Sequence, residues 1–146
     1  MFKISTGLRN HLLTGGALSA GLGGGVIRMY SGTEPATADA SIGTATLMVT
    51  ISNNGAGTGI SFEAAPVAGI LSKLSTETWL GTLVANGTYS FYRFSAIADT
   101  GAESTTEKRV QGTIGILNED LIVASLTKVA TDEQRIDSYA IGMPAS

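Results

Sequence analysis

His11 is the single histidine of this 146-residue chain, and cysteine is absent. Those two counts narrow the available chemistry. A Ser-His-Asp triad would have to use His11, and one histidine cannot build a multi-histidine metal site. Without cysteine there is no disulfide framework, no thiolate ligand and no cysteine nucleophile. Carboxylates remain. Asp99, Glu103 and Glu107 share one polar stretch, Glu119 adjoins Asp120, and Asp132 adjoins Glu133. Paired carboxylates can hydrolyse glycosides or hold calcium through oxygen ligands. None of these groups has the alternating oxygen donors and glycine of a calcium loop, so they read as solvated turns. Gly21-Leu-Gly-Gly-Gly25 is glycine-rich like a phosphate loop. It sits between a helix and a strand in the wrong order, with no Gly-Lys-Ser/Thr after it, and reads as a hinge. Trp79, Tyr89, Phe91, Tyr92 and Phe94 could stack on sugar rings, but aromatics alternating along a strand more often form core. Asn86-Gly-Thr88 matches a glycosylation sequon, yet a tight turn explains its Asn-Gly. No catalytic residue, cofactor-binding residue or metal ligand is assigned.

Composition sets the frame for these groups. The length suits one domain with a sizeable core. Hydrophobic residues make up 43% and charged residues 14%, with a net charge of -3 and a mean hydropathy of +0.23. So few charges on so apolar a chain argue against disorder and point to a surface of small residues, partly covered by a partner. Lysines and arginines are scattered, without the basic stripe that nucleic acid requires. No apolar run approaches the roughly 18 residues of a membrane helix. A signal peptide is not expected: Arg9, Asn10, His11 and Gly15-Gly16 interrupt any apolar h-region after Lys3.

The pattern predicts a short helix over 5–14, capped by Ser5 or Thr6, with Leu8, Leu12 and Leu13 along one side. Gly15-Gly16 ends it. Residues 1–24 then read as an arm with a Gly-rich hinge, and 25–146 as a β-domain. The leucine stripe either fastens the chain to a neighbour or packs on its own domain; Leu8, Leu12 and Leu13 are the candidate partner contacts. Strands are predicted over 26–30, 44–52, 60–64, 79–84, 88–97, 109–116, 121–126 and 136–141, with 67–73 left as strand or helical turn. In 44–52, Leu47, Val49 and Ile51 should share one face. Asn86-Gly87 predicts a type I′ hairpin joining 79–84 to 88–97. The second of those strands has apolar groups on both faces, as a central strand would, and Arg93 on it must find water or a partner. Residues 99–107 read as an exposed tip. Together these signals predict an all-β, single-domain antiparallel sandwich or barrel, with a jelly roll among the compatible topologies, and a short N-terminal helix.

Three segments carry a resemblance: Leu8-Arg-Asn-His-Leu-Leu13, Gly24-Gly-Val-Ile-Arg28, and Tyr30-Ser-Gly-Thr-Glu-Pro-Ala-Thr-Ala-Asp39. Over roughly residues 4–52 the chain resembles small virion structural proteins of tailed bacteriophages, most closely the head decoration, or cement, proteins. The resemblance implies a β-rich, non-enzymatic protein, made in the host cytoplasm and located on the capsid surface. It implies the major capsid protein as partner, and a dimer or trimer bridging capsomers. It carries over no catalytic residue. The alternative within the same resemblance is a tail or baseplate module, with host-surface carbohydrate as its candidate ligand.

Overall fold

A computed structural model describes residues 1–143. In chain order the elements are β1 (Lys3–Ile4), α1 (Thr6–Leu13), α2 (Leu18–Leu22), β2 (Val26–Ser31), β3 (Thr46–Asn53), β4 (Ile70–Ser72) and β5 (Trp79–Thr82). They continue with β6 (Gly87–Thr88), β7 (Phe91–Ser95), β8 (Val110–Gly115), β9 (Leu121–Ile122), β10 (Thr127–Lys128), β11 (Glu133–Ile136) and β12 (Ala140–Gly142). The fold is all-β with a short N-terminal helix, as the patterning predicts.

One main sheet runs β1-β8-β7-β2-β3-β5-β11, with β9 attached to β8. Its pairs are antiparallel except β8 with β9. Two ribbons, β10-β6 and β12-β4, complete it. β7 and β5 are three places apart, which in a flat sheet separates them by about 14 Å. The rings of Phe94 on β7 and Trp79 on β5 nonetheless lie 6.2 Å apart, edge to face. The sheet therefore curls, and its concave side closes on an aromatic cluster. Phe62 stacks on Phe94 at 5.5 Å, and Tyr139 lies 5.9 Å from Trp79 and 6.0 Å from Tyr92. Ile27, Met29, Val49 and Ile51 fill the rest of that face and are fully buried.

β7 is buried at every position, between β2 and β8, as a central strand with apolar groups on both faces should be. The Asn86-Gly87 hairpin does not form. β5 pairs with β3 and β11, while Gly87–Thr88 pairs with β10. Long-range main-chain bonds override the local turn signal: Val84 N–H donates to Met48 O, Tyr89 N–H to Leu126 O, and Leu83 exchanges bonds with Thr131 and Asp132. Asn86 serves that crossover instead, its Oδ1 accepting from Ala130 N–H at 2.7 Å. A two-residue turn does occur at Val67–Ile70, where Ala68 (φ 51°) and Gly69 (φ 77°) both take the positive φ that a type I′ turn requires. Residues 60–64 make only isolated bridges, Ile116 is exposed rather than inward, and the closing strand splits into β11 and β12.

Residues 1–24 are part of the domain, which corrects the reading of them as an arm. β1 pairs with β8, and Leu8 is 0% exposed in the core. Ser5 caps α1, its Oγ accepting from Leu8 N–H and from Arg109 N–H while donating to Glu107 O. The Gly-rich hinge contains α2, whose Leu22 enters the core. α1 lies so close on the 106–107 backbone that a Cβ at Gly7 would come within 2.3 Å of Thr106 O. Gly7→Ala is therefore expected to lower stability by about 1–3 kcal/mol through overpacking, read as a fall in denaturant midpoint at unchanged slope.

Candidate functional site

Where α1 and α2 meet the β4/β12 ribbon, the surface is an apolar groove. Two adjoining hollows of about 330 and 190 Å³ share Leu18, Ile141 and Met143; Leu71 and Pro66 wall one, Phe2, Ile4 and Leu12 the other. Each wall is fixed by sequence chemistry. β1 carries Ile4 and holds Phe2 beside it through its pairing with Gln111 and Val110. Leu12 projects from α1 and Leu18 from α2. His11 sets the spacing of these helices: its Nε2 lies 3.1 Å from Ala17 O, and a Cβ at Gly16 would strike its ring at 2.4 Å. The single histidine is thus a helix spacer. Of the lining residues Met143 is about half exposed. Next to lining residues along the chain or ladder are further exposed hydrophobics: Leu13 (84% exposed) follows Leu12, Val67 (76%) follows Pro66, and the half-exposed Ile70 pairs with Gly142.

The three leucines of α1 therefore separate. Leu8 is buried in the chain's own core and cannot touch a partner, since a helical residue on that side points into the domain. Leu12 is partly buried and lines the groove. Leu13 alone projects into solvent.

The carboxylates have structural uses. Residues 99–107 are no exposed tip at their start: Asp99 is buried and grips Arg109 with both oxygens, at 2.6 and 2.7 Å. Asp120 accepts from Thr113 N–H and pairs with the terminal amine of Met1 at 2.9 Å; Glu119 accepts from Thr113 Oγ1. Asp132 accepts from Val129 N–H within its turn. No cluster of three or more metal-ligating side chains occurs among the described residues. Trp79, Tyr89, Phe91, Tyr92 and Phe94 are all at most 3% exposed, so they form core and present no sugar-stacking face.

Sequence reasoning missed the charged network on the convex side of the sheet. Arg93 finds its partners in Gln111 Oε1 and Ala40 O, at 2.5 and 3.0 Å. Arg109 donates to Ala38 O, Asp39 O and Ala102 O besides Asp99. Gln111 donates to Glu34 and Pro35 O, Lys3 pairs with Glu34, and Thr6 donates to Asp39 through both its amide and its hydroxyl. The Ser31–Asp39 stretch is therefore a cover clamped over the sheet by buried arginines. Burial pushes the Asp99 carboxyl up, but the Arg109 bonds and Gly101 N–H outweigh it, leaving the group below the usual carboxylate range. The only sequence signal for this network was Arg93 lying on a central strand.

No family model, no curated protein and no solved structure matches this chain.

Proposed function

We propose that this protein is a non-enzymatic decoration, or cement, protein of a tailed-phage head, binding the outer surface of the major capsid protein across seams between capsomers. The reading starts from the sequence resemblance over residues 4–52. The observation that supports it in the fold is the apolar groove, whose lining residues Leu12, Pro66 and Gly142 adjoin the exposed Leu13, Val67 and Ile70. Scattered exposed hydrophobics are ordinary, but a concave apolar surface with more of them next to its lining suits a protein partner. The Asp99–Arg109 pair and the core aromatics face the inside of the domain, whereas this groove faces outward. A protein that binds only the expanded shell stabilises it by mass action, and symmetric repetition raises the effective affinity of weak single contacts.

Cosedimentation with expanded, undecorated heads tests the reading. Leu13→Asp combined with Val67→Asp is expected to weaken attachment by more than about 1 kcal/mol, as truncating a central interface contact does. Stability should stay within about 0.5 kcal/mol of the parent, because both side chains lie at the surface. Undiminished binding by this variant would remove the groove from the proposal.

A further inference from the structure

Two strand edges face one another across a groove. Among the described residues β11 pairs only with β5, and β9 only with β8. Between them lies a groove of about 450 Å³, walled by residues 120–124 on one side and 134–140 on the other. The alternation of an antiparallel ladder decides which main-chain groups open into it. Leu83 N–H donates to Asp132 O, so Asp132 faces β5, and by the register Gly81 to Gln134 and Trp79 to Ile136, these two do as well. Glu133 and Arg135 then turn their amides and carbonyls to the open edge. The Arg135 carbonyl accepts from the side-chain amide of Gln134 at 2.8 Å, as an unpaired edge carbonyl must find some donor. Gln134 is itself only 7% exposed, and its Oε1 has no hydrogen-bond partner.

The geometry points to a second copy of this chain on that edge, antiparallel to β11 about a two-fold axis through Gln134. In this register each Glu133 lies directly across from the second copy's Arg135, which pairs with Asp137 of its own chain at 2.6 Å and gains a second carboxylate on the outer face. Those two are the hydrogen-bonded pairs, and the second copy's Glu133 amide replaces Gln134 as donor to Arg135 O. The two Gln134 side chains then stand opposite each other, one amide donating to the other's unpartnered Oε1. Registers centred on Glu133 or Arg135 set like charges together. One centred on Ile136 runs past the end of β11 and leaves the Gln134 amides unmatched. Ile122 on the opposite wall is 53% exposed, and Ile116 and Leu117, following its ladder partner Gly115, are 62% and 71% exposed. The dimer is a property of the isolated protein and stands or falls independently of attachment to heads.

Sedimentation equilibrium of the purified chain, with designed variants, tests it. The parent should dimerise with increasing concentration. Arg135 also pairs with Asp137 of its own chain, so the reversals are made in an Asp137→Asn background. There Arg135→Glu and Glu133→Arg should each be monomeric, and the two combined should dimerise again, because the swap restores the same cross-strand pairs. Both side chains are exposed, and circular dichroism should show the variants folded. Gln134→Cys places one thiol in a chain that has no other. A non-hydrogen-bonded pair brings its Cα atoms to about 4.5 Å, within disulfide range. Mild oxidation should yield a covalent dimer for Gln134→Cys and not for Glu133→Cys. A parent monomeric throughout, a dimer indifferent to single charge reversals, or a charge swap that fails to restore it would overturn the proposal.

Discussion

Arg109→Met is expected to lower the unfolding free energy by about 3–5 kcal/mol, because it leaves the buried Asp99 carboxylate without its partner. Arg109 and Asp99 are 1% and 2% exposed at the side chain. The guanidinium also satisfies the carbonyls of Ala38, Asp39 and Ala102, so its loss releases the Ser31–Asp39 cover and the loop from Asp99 to Ala102 together. Replacing both charges, by Arg109→Met with Asp99→Leu, should recover part of the loss, since two matched apolar groups cost less than one orphaned charge. Denaturant midpoints of the single and double variants form the cycle that measures the coupling. The same pair sets an acid limit. The folded carboxyl of Asp99 sits below its unfolded value, so its contribution is fully present above the ordinary carboxylate range and is lost as pH falls through the depressed value. Asp99→Asn should flatten stability against pH below about 4, the unfolded carboxylate value. A midpoint for Arg109→Met equal to that of the parent would contradict the clamp.

Leu8→Ala should cost about 2–5 kcal/mol, the range for removing a buried leucine side chain. Deletion of residues 1–14 should go further and abolish cooperative unfolding. It removes Leu8, the Ser5 cap and the β1 strand, and it strips Asp39 of both its hydrogen bonds from Thr6. Thermal melts followed by near-ultraviolet circular dichroism check both variants. The arm reading of 1–24 expects the opposite, a truncation that stays folded and loses only attachment. A cooperative melt for the truncated chain would restore that reading.

Elements whose signal is local were legible in the sequence. The predicted helix over 5–14 matches Thr6–Leu13 with its Ser5 cap, and the strands at 26–30 and 44–52 match Val26–Ser31 and Thr46–Asn53. The faces of the second were only partly right: Val49 and Ile51 are fully buried as expected, but so is Met48, close to an irregularity in the register between Met29 and Tyr30. Features decided by distant partners were not legible. Asn86-Gly87 has the chemistry of a hairpin, but Met48, Leu126 and Ala130 claim its flanking segment. Asp99 opens a polar stretch that looks solvated until Arg109 is placed against it. The groove was half visible, since Leu12 was singled out on α1, whereas Ile141, Leu71 and Pro66 join it only through the β4/β12 pairing. Leu8 shows why an apolar stripe alone cannot tell a partner from the chain's own core.

The central claim is attachment to the phage head, and the protein composition of purified virions tests it most directly, with heads and tails separated before quantification. The account predicts this chain in many copies per particle, all in the head fraction and released without breaking the shell. Copies confined to tails, or absence from the particle, would contradict it.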